Sequence, residues 1–135
     1  MAHRALSWPK RLTLIALALF FCLAGVNHFT DPDFFVAIMP PYLPAHLELV
    51  YVSGVFEILG GLGLLLPALR KKAGIGLLAL LVAVYPANIH MAMHPELFSA
   101  VDPGFLYLRL ALQFVFGWLV WWAAVSDPRV PATSP

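Results

Sequence analysis

The sequence predicts an all-α integral membrane protein, a four-helix bundle running up-down-up-down with both termini cytoplasmic, and residues 1–135 form a single transmembrane domain. Three observations predict it. Hydrophobic residues make up 61% of the chain and charged residues 11%, against roughly 25% charged residues in a soluble domain. Four apolar runs, Leu12 to Phe29, Leu47 to Leu69, Ala73 to Met93 and Phe105 to Val125, each approach the ~20 residues with which an α-helix crosses ~30 Å of hydrocarbon. Barrel strands would instead alternate in segments of about ten residues. The third observation is charge placement. Arg4, Lys10, Arg11, Arg70, Lys71, Lys72 and Arg129 all fall at one face, the intervening loops on the other face carry Asp31, Asp33, Glu96 and Asp102, and Arg109 alone lies inside a span. The positive-inside rule then places both termini in the cytoplasm, in a multi-pass protein of the cell membrane.

The first span follows Arg4, Lys10 and Arg11, a pattern shared with signal peptides. Its apolar run is long for a signal core and ends in Asn27-His28-Phe29 rather than a small-x-small site, so it is read as a retained helix. Cys22 precedes Leu23-Ala24-Gly25, the wrong order for a lipoprotein box, and reads as a buried thiol. A single cysteine also excludes an intramolecular disulfide and a thiol relay within the chain.

The outer loop from Thr30 to His46 holds Pro32, Pro40, Pro41 and Pro44, which fix φ and stiffen it into a cap. A short helical turn is expected over Pro32–Met39, lying on its apolar residues. The second span carries Glu57 within Ser53-Gly-Val-Phe-Glu-Ile-Leu-Gly-Gly61. An acid at that depth costs roughly 2.5–3.5 kcal/mol on insertion scales, so it faces the bundle interior. Gly54, Glu57 and Gly61 share a face, and small residues there let another helix approach. Arg70-Lys71-Lys72 is read as the short inner loop that makes the second and third spans antiparallel neighbours. Pro86 interrupts the third span and frees the carbonyl near Val82. In the fourth, Arg109, Gln113 and Gly117 recur at i, i+4 and i+8 on one face. Trp8, Trp118, Trp121 and Trp122 fall near the inner boundary and Tyr42, Tyr51 and Tyr107 near the outer one, as interfacial belts.

Depth follows from ~1.5 Å per residue counted from the outer boundary. Ser53 is about 9 Å down, Glu57 about 15 Å, His90 about 5 Å, Asn88 about 8 Å, Arg109 about 6 Å and Gln113 about 12 Å. His28 ends the first span at the boundary itself. All strongly polar groups therefore sit in the outer half, as a cavity open to the outside requires. Its candidate lining is Glu57, Asn88, His90, Arg109, Gln113, His28 and Ser53. Glu48 and Arg109 match in depth and form a candidate ion pair, which leaves Glu57 to hydrogen-bond Asn88 or Gln113. Asn27-His28 followed by Pro32-Asp-Phe-Phe35, and Asn88-Ile-His90 followed by Pro95-Glu-Leu-Phe98, form a faint internal repeat of two helical hairpins.

With Gly25-Val-Asn-His-Phe29, Ser53-Gly-x-x-Glu57-x-x-Gly-Gly61 and Pro86-Ala-Asn-Ile-His90, the chain resembles the DoxX-like family of small four-helix membrane proteins, over Leu12 to Val125. The resemblance implies that fold and topology. It implies roles for Glu57, His28, Asn88 and Arg109. Family members are described as membrane partners of oxidoreductases, as the quinone-linked subunit of a thiosulfate-oxidising enzyme, and in animals as receptor-assembly chaperones. Thiol-using relatives are not matched by a chain with Cys22 alone.

Three readings of function follow. The first is an accessory subunit of a membrane redox system, not an enzyme by itself, whose outer-leaflet cavity binds a quinone or similar amphipathic molecule through Glu57, Asn88, His90 and Arg109. Its partners would be the lipid bilayer, a membrane or extracytoplasmic oxidoreductase, and further copies of the chain. The alternative is a non-enzymatic membrane assembly or scaffold protein whose polar cluster is structural. The weakest is a haem or metal protein using His28 with His90 or His94. No C-x-x-C-H is present and the surroundings are poor in carboxylates, so no metal ligands are assigned. The net charge of +1 and the lack of a basic stripe give no nucleic-acid role.

Overall fold

A computed structural model describes residues 5–126, which form helices and turns. Arg4 and Arg129, counted above in the charge partition, lie outside the described residues. In chain order the helices are α1 (Trp8–Thr30), α2 (Pro32–Ile38), α3 (His46–Leu65), α4 (Arg70–Met93) and α5 (Pro103–Val120). A 3₁₀ turn over Pro95–Phe98 precedes α5, and a π-helical turn over Trp121–Val125 extends it. Among the described residues four helices, the last counted through Val125, are long and apolar enough to cross a membrane.

The boundaries follow local chemistry. α1 starts at Trp8, a turn before the apolar run, because Pro9 suits a first helical turn. α3 stops at Leu65: Leu66 is extended ahead of Pro67, as a residue before proline tends to be. The connection between α3 and α4 is therefore residues 66–69, and Arg70-Lys71-Lys72 form the first turn of α4 rather than the loop itself. Arg70 Nε donates to Leu64 O at 2.9 Å, which caps a free carbonyl at the end of α3. Asp102 caps α5 by accepting from Gly104 N at 2.7 Å, with Pro103 behind it. α2 realises the short helix expected between the loop prolines.

Glycines set how closely the helices pack. A Cβ placed on Gly25 would lie 2.7 Å from Gly54 O, one on Gly54 would lie 2.9 Å from Gly25 O, and one on Gly61 would lie 3.0 Å from Ala18 O. Positions 25 and 18 of α1 thus meet 54 and 61 of α3, an antiparallel crossing close enough to exclude a methyl group. Gly60 meets Leu77 and Gly63 meets Ala73, which sets α4 antiparallel to α3. Gly74 against Ala124 and Gly117 against Leu78 set α5 antiparallel to α4. α3 neighbours α1 and α4 while α5 neighbours α4 and α1, so α3 and α5 stand diagonally across the bundle.

Two apolar layers close the ends. One, at the end where α1 and α4 begin, gathers Leu14, Leu17, Phe21, Leu64, Leu77, Val120 and Ala123. The other gathers Ile38, Ala87, Met91, Phe98 and Leu106 from α2, α4, the 3₁₀ turn and α5. Leu12, Ile15, Leu19 and Leu23 are exposed, on the side of α1 turned to lipid in a spanning helix.

Candidate functional site

A cavity of about 450 Å³ lies among the helices between the two apolar layers. Its polar lining is Asn27 and His28 from α1, Ser53 and Glu57 from α3, Asn88 from α4, and Arg109 and Gln113 from α5. Six of these seven are the candidates read from the sequence; Asn27 is added, and His90 lies elsewhere. The rest of the wall is apolar and rich in phenylalanine, with Phe20, Phe21 and Phe116 from the long helices and Phe34 and Phe35 from α2.

Two polar arrangements occupy opposite walls. On the α4–α5 side, Arg109 Nη2 donates to Asn88 Oδ1 at 3.2 Å and Asn88 Nδ2 donates to Gln113 Oε1 at 2.6 Å. Gln113 Nε2 in turn donates to Leu81 O. Each amide accepts from one neighbour and donates to the next, an ordered chain that fixes the amide orientations. Its last acceptor lies one residue from the Val82 carbonyl that Pro86 leaves without its helical donor. On the α1–α3 side, His28 Nδ1 contacts Ala24 O at 2.8 Å. A carbonyl can only accept, so the proton is on Nδ1. Glu57 Oε2 is 3.4 Å from the same nitrogen and has no hydrogen-bond partner, nor has Arg109 Nε. Buried polar atoms without partners are uncommon and costly, and here two stand on diagonal helices around one cavity.

The expected partnerships of Glu57 and Arg109 are corrected. Glu48 does not pair with Arg109: it is exposed in the first turn of α3, where an acid favours the helix dipole. Among the described residues the close histidine–carboxylate contacts are His28 with Glu57 at 3.4 Å and His94 with Glu96 at 3.0 Å, and neither involves Glu48 or Arg109. Glu57 does not hydrogen-bond Asn88 or Gln113 either, because those two amides satisfy each other. The reason is packing: the glycine crossing presses α1 onto α3 and brings His28 to Glu57, whereas α5 is diagonal to α3. His90 does not line the cavity and lies beside His94, with ring centroids 4.5 Å apart. His28, stacked on Phe35 at 3.8 Å, is in the cavity without it, so the histidine pair needed for an axial ligand set is not assembled there. Among the described residues no group of three or more His, Cys, Asp or Glu is placed to hold a metal ion.

α2 is the part of the site that spacing along the spans did not reveal. Phe35 stacks on His28, and Arg109 lies over the Phe34 ring at 6.0 Å, so this helix roofs both polar walls. The signal was present in two adjacent aromatics in a short segment between prolines.

Four apolar helices around a partly polar cavity define a multi-pass helical membrane protein. The chain belongs to a family described as a domain of unknown function (DUF8561), whose model matches residues 17–126. No curated protein and no solved structure matches it.

Proposed function

We propose that this protein binds the polar head of an amphipathic small molecule, of quinone or quinol type, in its cavity and serves a membrane redox system as an accessory subunit. The observation that supports it is the pair of unpartnered buried atoms, Glu57 Oε2 and Arg109 Nε, lining one cavity of about 450 Å³. An ionised carboxylate accepts and a guanidinium donates. A head group offering one donor and one acceptor satisfies both, and phenylalanine walls suit a flat ring. The resemblance to DoxX-like proteins points the same way. In this reading the spans run up-down-up-down with both termini cytoplasmic in the cell membrane, because Lys10, Arg11, Arg70, Lys71 and Lys72 sit at one end of the bundle. The cavity then belongs to the outer leaflet.

A second reading, a structural assembly protein, is favoured by the Arg109–Asn88–Gln113–Leu81 chain, which ties α4 to α5 without any ligand. Purification in mild detergent, solvent extraction and mass spectrometry distinguish them. The binding reading expects a stoichiometric amphipathic molecule that disappears from Glu57→Gln protein. A folded protein that carries none, and takes up no added hydroquinone, leaves the assembly reading.

A further inference from the structure

The cavity is well sealed on three sides. α1 and α3 close through their glycine crossing, α4 and α5 through the Asn88–Gln113 bond, and on the α3–α4 side the lining residues Val50, Ser53, Glu57, Leu81, Val84 and Ala87 are all buried or half-buried. The fourth seam differs. α1 and α5 meet through Phe20 and Phe116, whose rings stack with centroids 4.3 Å apart, and near the basic end Lys10 lies 5.4 Å over Trp122, in the π-helical turn that follows α5. Further toward the outer end, Ala24 and Asn27 of α1 line the cavity on one side and Leu112 and Phe105 of α5 on the other. Phe20, Leu112 and Phe105 line the cavity and are still 43%, 37% and 49% exposed. A side chain that is both wall and surface marks a mouth, and these three flank a single seam of two membrane-length helices. Directly outward, the cavity is roofed by Phe34 and Phe35.

We infer that the cavity opens sideways, between α1 and α5, and takes a membrane-dissolved lipid head first. The head, carrying a hydrogen-bond donor and an acceptor, reaches Glu57 and Arg109; the apolar chain leaves over Phe20, Leu112 and Phe105 into the outer leaflet. A water-soluble ligand has no such use for a mouth lined by phenylalanine and leucine, where hydrocarbon excludes water. The inference rests on the binding reading above and adds to it the class of ligand and its route.

The test uses the full chain in lipid nanodiscs and two photoreactive hydroquinones with a ten-carbon chain, one bearing its diazirine beside the ring and the other at the end of the chain. Cross-linked residues are mapped by mass spectrometry. Ring-proximal label on α3 and α4 around Glu57 and Asn88, with chain-end label on α1 and α5 within residues 20–27 and 105–116, is the expected result. Chain-end label on α2 and residues 39–46 instead, with the ring label unchanged, overturns the sideways mouth and leaves the binding reading standing. Absence of ring label from the cavity overturns both. Leu112→Trp, which fills the seam and leaves Glu57 and Arg109 in place, is expected to lose both labels while keeping helicity and melting behaviour. Undiminished labelling of that folded variant overturns the route.

Discussion

The imidazole of His28 and the carboxylate of Glu57 approach to 3.4 Å across the α1–α3 crossing without sharing a hydrogen bond, because the His28 Nδ1 proton is given to Ala24 O at 2.8 Å. The histidine is thereby locked by its own helix and Glu57 Oε2 keeps a free acceptor position inside the bundle. An acid held this way offers its lone pairs to whatever enters the cavity.

Glu57→Gln keeps the volume and removes the charge. Hydrogen bonds to charged groups contribute about 1.5–3 kcal/mol, so hydroquinone affinity is expected to fall about ten- to a hundredfold. Folding should be little changed, since Oε2 makes no hydrogen bond that the substitution would remove. Titration of hydroquinone into the variant in nanodiscs checks this, and unchanged affinity would remove Glu57 from the site.

Gly25→Ala puts a methyl group 2.7 Å from both Gly54 O and Ile58 Cγ1. The backbone oxygen cannot swing away as a side chain can, so the helices must separate, at a cost of about 1–3 kcal/mol. Gly76→Ala is the matched control: nothing lies within 4 Å of its Cβ, and a helical glycine replaced by alanine gains about 0.5–1 kcal/mol. Thermal unfolding in detergent should move the two variants in opposite directions.

Asn88→Ala removes both the acceptor of Arg109 Nη2 and the donor to Gln113. Interhelical polar contacts in membranes average about 0.6 kcal/mol, so two of them predict a loss of about 1 kcal/mol. Because Arg109 also loses its positioning contact, hydroquinone affinity should weaken with stability. Loss of stability with full affinity would assign the amide chain to the bundle alone.

In the 3₁₀ turn before α5, Glu96 is held below the ordinary 4.5 by a hydrogen bond from its own backbone N–H and then by His94, whose Nδ1 is 3.0 Å away. A carboxylate with a depressed folded value contributes stability above its unfolded value and loses it as pH falls through the folded one. Carboxyl carbon NMR should therefore give a midpoint below 4.5, and His94→Ala should return it part of the way. An unshifted midpoint in the intact protein would show that these contacts do not form.

Much of this protein is determined by its sequence alone. Lengths of apolar chain determine that four helices can span a bilayer, because a buried backbone in hydrocarbon must satisfy its own hydrogen bonds. The i, i+4 spacing of Arg109 and Gln113 and the depth of Ser53, Glu57 and Asn88 were enough to find most of the polar lining, since helix geometry ties spacing to facing. Pairing was decided only by tertiary structure. Depth matched Glu48 to Arg109, but which helices become neighbours is a matter of close packing, and Gly25, Gly54 and Gly61 give that place beside α3 to α1. His90 is near the right depth and turns instead toward His94, a rotation that depth does not encode. The roof of Phe34 and Phe35 and the seam between α1 and α5 likewise exist only once separate segments meet in space, because each is built by residues that no single helix period connects.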